Sequence, residues 1–201
     1  GDVYKRQEFG IPFDLREGHA YRAFAAGNHG ARPWRSHVRA LQRMYNALDA
    51  LGLSAMLWNY TASNRNHLAI GDGWNQEDLS VFSEDQRLDP DNLDSGGRAL
   101  DGFVRPYVRC VQGRLVRMRF DSRRRTFELI FDADPTVPAP TEIFVPERQF
   151  PNGYRIEANQ LIIQRDEEND DRSRLRLTAS RKGRHTVCLS CSRNASPSSG
   201  G

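Results

Sequence analysis

From Pro33 to Gly52, apolar residues recur at steps of three and four. Val38, Leu41, Met44, Tyr45, Leu48 and Leu51 fall on one stripe, which predicts an amphipathic helix. Pro33 and Ser36 suit its start, and Gly52 suits its C-terminal cap. The run Leu53-Ser54-Ala55-Met56-Leu57-Trp58 follows, short and uncharged, as in a parallel strand buried on both faces. Upstream, Phe9 and Ile11 flank Glu8 on a short strand that Gly10 and Pro12 end. From Asn59 to about Ser95 periodicity disappears into a stretch rich in Asn, Asp, Gly and Ser. An irregular stretch that long within a domain is usually functional or disordered, and its rings, amides and carboxylates favour function. Leu100, Phe103 and Val104 then predict a short helix over 96–104, ended by Pro106.

Beyond Pro106 the period falls to two. Val116, Met118 and Phe120 alternate with Arg117 and Arg119, and Phe127, Leu129 and Phe131 alternate with Glu128 and Ile130. Asp121-Ser122-Arg123-Arg124 reads as the hairpin tip between them. Further short strands are centred on Ile143 and Val145, Tyr154 and Ile156, Leu161 to Ile163, Leu175 and Leu177, and Val187 and Leu189. Short strands separated by turn signals predict a β-sandwich-like module. Residues 166–174 read as a charged exposed loop, and the Ser/Gly/Pro tail from Ser192 as disordered. The fold class is therefore α/β plus all-β, with the change near residue 105. Gly1 to Gln7 joins Glu8 without a turn signal and resembles translated adapter sequence, so it is set aside as a foreign leader.

Composition changes this picture little. Hydrophobic residues are 38% and charged residues 27% of the chain, and net charge is +3. Basic and acidic residues are interspersed, which argues against a nucleic-acid face; Arg123-Arg124-Arg125 reads as a solvated tip. The single Cys188-x-x-Cys191 lacks the second pair that zinc requires, so no metal is assigned. Few cysteines favour a reducing compartment; the compartment itself stays open between cytoplasm and vacuole.

The candidate chemistry lies in three places. Glu8 is a carboxylate near a strand end, a position more often merely solvated. Trp58 closes the next strand and offers an apolar face to a sugar ring, or else fills a core; Asn59, Tyr60 and Thr61 follow it. Gly71-Asp72-Gly73-Trp74-Asn75-Gln76-Glu77-Asp78-Leu79-Ser80 joins a ring to groups suited to hydroxyls, or else is an ordered loop stapled by Trp74.

In order, these motifs resemble glycoside hydrolase family 5. More narrowly they resemble the branch with endoglycoceramidase-related glucosylceramidases and fungal steryl β-glucosidases. Glu8-Phe9-Gly10-Ile11-Pro12-Phe13, Asn46-Ala47-Leu48-Asp49-Ala50-Leu51-Gly52, Leu57-Trp58-Asn59-Tyr60-Thr61 and the loop 71–80 carry the match. Val104-Arg105-Pro106-Tyr107 and Thr141-Glu142-Ile143-Phe144-Val145-Pro146 extend it into the β-module. The resemblance implies that residues 8–104 hold strands seven and eight of a TIM (β/α)8 barrel, followed by a β-sandwich-like domain over 105–191 and a tail over 192–201. It implies a retaining β-glycosidase acting on a glycolipid, glucosylceramide or a steryl β-glucoside, without a cofactor. It makes Glu8 the nucleophile and Trp58 a residue lining the cleaved sugar. It places Asn59, Tyr60, Trp74, Asn75, Glu77 and Asp78 near the substrate. Its acid/base glutamate follows an asparagine on strand four, a pair with no counterpart here, so the chain is expected to be a C-terminal fragment, inactive alone. Contact with a membrane surface would suit a lipid substrate. The competing readings are a non-catalytic carbohydrate- or lipid-binding β-domain with a vestigial barrel segment, and an independent α+β binding domain.

Overall fold

The computed structural model describes residues 6–67, 69, 72, 77–165 and 173–192. They divide into two compact units, 1–48 with 53–103, and 49–52 with 104–201.

The first unit is built on two parallel strands. β1 (Arg6–Phe9) pairs with β2 (Ser54–Leu57), with Glu8 opposite Met56 and Phe9 opposite Leu57. β1 thus begins inside the heptapeptide set aside on sequence grounds. Parallel neighbours need a crossover connection. Here it consists of α1 (Leu15–Ala25), a 3-10 turn at Arg32–Trp34 and α2 (Arg35–Leu51). The helical stripe in α2 holds at Leu41 and Leu48, which are buried, and at Val38 and Met44, which pack against the core. Leu51 lies at the helix end and is 70% exposed. Ile11, Phe13, Tyr21, Trp34, Leu41 and Ala99 centre this core. The short α3 (Leu100–Phe103) packs closely on α2: a methyl group at Gly102 would sit 2.9 Å from the Leu41 Cβ.

β2 is not buried on both faces as its uncharged sequence suggests. Ala55 and Leu57 are half-buried, whereas Ser54 and Met56 are exposed. The helices cover one face of the two-stranded sheet only.

The second unit holds two four-stranded antiparallel sheets. Its strands are β3 (Tyr107–Cys110), β4 (Gly113–Asp121), β5 (Thr126–Ala133), β6 (Thr141–Phe144), β7 (Tyr154–Ala158), β8 (Leu161–Arg165), β9 (Arg174–Ala179) and β10 (Gly183–Cys191). The sheet orders are β4-β5-β10-β7 and β3-β6-β9-β8. Phe127, Leu129, Phe131, Val187 and Leu189 from one sheet meet Ile143, Leu175 and Leu177 from the other in a single core, each at 1% exposure or less. Two sheets closing on inward-facing alternate residues form a β-sandwich. One predicted position changes face: a bulge between Leu115 and Arg117 turns Leu115 toward the core and leaves Val116 39% exposed. Cys110, Cys188 and Cys191 are free thiols. The charged loop from residue 166 and the C-terminal tail fall almost wholly outside the described residues.

Candidate active site

Alternation along β1 and β2 decides which side chains share a face. Phe9 points to the helices, where its ring meets Tyr45 of α2 edge-on at 5.1 Å. Its strand neighbour Leu57 packs on the same core. Glu8 precedes Phe9, while Met56 and Trp58 flank Leu57, so all three lie on the opposite, helix-free face. Glu8 is exposed, Met56 is 47% exposed and Trp58 is 39% exposed. Glu8 and Trp58 therefore stand at the C-terminal ends of adjacent parallel strands, on the same side.

The strand ends approach closely. The Trp58 amide donates to the Phe9 carbonyl at 2.7 Å. A Cβ at Gly10 would lie 2.6 Å from the Trp58 carbonyl oxygen, so only glycine lets the chain leave β1 here. The Trp58–Asn59 peptide is cis.

The loop after β2 folds back as a strap beside Asn59. The Asn59 amide donates to the Leu79 carbonyl at 3.2 Å, and the Val81 amide donates to the Asn59 carbonyl at 2.8 Å. The Asn59 side chain serves the same strap. Its Nδ2 donates to Asp72 Oδ2 at 2.8 Å, and its Oδ1 accepts from the Thr61 hydroxyl at 3.2 Å. Asp72 Oδ2 also accepts the Leu79 amide at 3.2 Å. Tyr60 stays 67% exposed, its ring 5.4 Å from that of Phe82.

Asp78 faces inward. It is 1% exposed, and its carboxylate accepts from both terminal nitrogens of Arg98, from the Tyr21 hydroxyl and, at 3.4 Å, from Asn64 Nδ2. Burial pushes its carboxyl above the ordinary range, and the Arg98 hydrogen bonds pull it back. Arg98 is wholly buried, also donates to the Ser80 carbonyl at 3.1 Å, and lies 4.6 Å over the Phe13 ring. A bidentate guanidinium suits a carboxylate in such a place. Asp78 thus anchors the strap instead of presenting its oxygens to a ligand, which corrects its expected place among the substrate contacts. Glu77, next to it, is exposed. Trp74 and Asn75 lie outside the described residues.

Arg98, Tyr21 and Asn64 escape a reading by motif. The available signal is Gly96-Gly97-Arg98-Ala99-Leu100, where one charge interrupts small and apolar residues. A charge in such a setting needs a buried partner.

Residues 105–188 match the glycoside hydrolase family 5 C-terminal domain. A glucosylceramidase of Cryptococcus neoformans var. grubii is 30% identical over 158 residues, covering 71% of this chain and 20% of that protein. The solved sterylglucosidase 1 of Cryptococcus neoformans superposes with a TM-score of 0.75 at 25% identity, covering 94% of this chain and 28% of that one. Endo-glycoceramidase II from Rhodococcus sp. shares the fold at a TM-score of 0.60 and 20% identity, over 96% of this chain and 34% of that one. The chain thus spans about a fifth of the length of the curated glucosylceramidase it matches. Residues 105–188 are thus similar to the family 5 C-terminal domain, and the chain is similar to glucosylceramidases and a sterylglucosidase.

Proposed function

We propose that this chain supplies strands seven and eight of the (β/α)8 barrel, and the β-sandwich that follows them, to a retaining β-glycosidase. Its substrate is a glycolipid, either glucosylceramide or a steryl β-glucoside. The observation that carries the reading is the shared placement of Glu8 and Trp58. Both stand at the C-terminal ends of adjacent parallel strands, on the face the helices leave open. Catalytic residues of such barrels sit at those strand ends.

Glu8 is the nucleophile. Its carboxylate attacks the anomeric carbon while a second carboxyl group, about 5–5.5 Å away, gives its proton to the departing oxygen. A glycosyl ester on Glu8 results. The second group, now a carboxylate, takes a proton from water, and the water oxygen displaces Glu8 with net retention. We assign the second group to strand four, in sequence beyond this chain, so the 201 residues alone turn over no glycoside. Trp58 lays its ring against the sugar, and Tyr60 extends the apolar wall. Glu77 borders the site from the loop; the roles expected of Trp74 and Asn75 fall outside the described residues. Asn59 acts mainly through Asp72 and the strap, and Asp78 through Arg98.

The test is Glu8→Ala in the longer enzyme. Turnover of an aryl β-glucoside should fall by at least about a thousandfold, as when a covalent nucleophile is removed. Added azide should then restore turnover by attacking the anomeric carbon directly, releasing the α-glucosyl azide. Undiminished hydrolysis, or azide rescue that yields the β-azide, contradicts the assignment.

A further inference from the structure

The hairpin β4–β5 carries the excess charge of the chain. Residues 113–132 hold six arginines, namely Arg114, Arg117, Arg119, Arg123, Arg124 and Arg125, against Asp121, Glu128 and Asp132. Their surplus is +3, equal to that of the whole chain, and the remaining residues balance at 23 basic and 23 acidic.

All six arginines are exposed. Arg114, Arg117 and Arg119 line an edge strand, because β4 ends its sheet, and Arg123, Arg124 and Arg125 form the hairpin tip. The three acids are already engaged. Glu128 sits 3.5 Å from Arg117, and Asp132 is shared by Arg114 and Arg184. Asp121 turns into the hairpin, where Oδ1 accepts the amides of Arg123 and Arg124, each at 3.0 Å. Among the described residues, no acidic side chain forms an ion pair with Arg119, Arg123, Arg124 or Arg125. The tip also departs from ordinary turn chemistry: Arg125 adopts φ 50, where glycine or asparagine is usual.

We propose that this arginine-lined hairpin is a docking surface for anionic lipid membranes. Clusters of four to eight basic residues bind such surfaces by charge complementarity. Single-stranded nucleic acid is the poorer fit. Its binding uses exposed aromatic platforms, whereas the hairpin's aromatics, Phe120, Phe127 and Phe131, are all buried. The preference for lipid also rests on the glycolipid substrate proposed above.

The test is co-sedimentation of the 201-residue chain with vesicles free of glycolipid, so that it reads the surface and not the glycosidase site. Vesicles of phosphatidylcholine with a third phosphatidylserine should carry the chain down, and pure phosphatidylcholine should not. Raising salt from about 50 to about 300 mM should release it through screening. The variant Arg123→Gln, Arg124→Gln, Arg125→Gly keeps the amides that Asp121 caps and relaxes the positive φ. It should retain the wild-type thermal transition and lose about fivefold in partition per arginine, about a hundredfold in all. Equal binding to both vesicles, no binding to either, or a variant that binds like the wild type overturns the proposal. So does preferential capture of single-stranded RNA over anionic vesicles. Any of these leaves the role of Glu8 untouched, since azide rescue reads that separately.

Discussion

At Gly10 the chain leaves β1 with the Trp58 carbonyl oxygen 2.6 Å from where a Cβ would stand, and that oxygen belongs to backbone. Gly10→Ala must therefore separate the two strand ends. It should destabilise the first unit by about 1–3 kcal/mol, the usual cost of overpacking. A shift in the urea midpoint at constant m measures it, and an unchanged midpoint counts against the close approach. His37 is a second sensitive residue, 3% exposed and stacked parallel on the Phe13 ring at 5.2 Å. Burial, reinforced by the nearby Arg98, lowers its pKa from 6.5 to about 4. The unfolded chain therefore binds a proton between those pH values that the folded unit does not. The stabilisation from neutral His37 is complete above about pH 6.5 and is lost as pH falls through about 4. Asp78, shifted upward, works in the opposite sense, so the informative quantity is a difference. The stability of wild type relative to His37→Phe should rise with pH across that window, and a flat difference contradicts it.

Among the elements, α2 was legible because tertiary packing uses the stripe that the sequence advertises, and β2 was legible as a strand but not in its burial. Leu41 and Leu48 are its buried members, and Leu57 of β2 packs on the cluster that holds Leu41. α1 was not, because Arg16, Glu17 and Gly18 take positive φ values and only glycine signals that in sequence. The face of β4 was misread at Val116 because a bulge adds a residue that alternation cannot foresee. The motifs brought Glu8 and Trp58 forward, and both stand at strand ends. They could not show that Asp78 turns inward, since that depends on Arg98, twenty residues later in the chain. Arg98→Met leaves the Asp78 carboxylate buried without its cation. It should cost about 3–5 kcal/mol by chemical denaturation. Asp78→Asn combined with Arg98→Met should recover part of that loss. An Arg98→Met protein as stable as wild type contradicts the role of the strap anchor.

At the scale of the molecule, each unit closes on different terms. The sandwich has its own core, with Phe131, Leu175, Leu177 and Leu189 at zero exposure. Residues 104–192 expressed alone should therefore melt in one cooperative transition with retained near-ultraviolet dichroism, and a gradual loss of signal would contradict this. The first unit leaves Met56 and Trp58 substantially exposed on the face that carries Glu8, the face a closed barrel turns inward. The central claim is that Glu8 forms the glycosyl ester. Incubating the longer enzyme with 2-deoxy-2-fluoro-β-glucosyl fluoride should trap that ester, because the 2-fluorine slows both steps while the anomeric fluoride, a good leaving group, keeps formation faster than hydrolysis. Peptide mapping by mass spectrometry should then place one fluoroglucosyl group on Glu8. A label on another carboxylate, in an enzyme inactivated one-to-one by the reagent, would contradict the account.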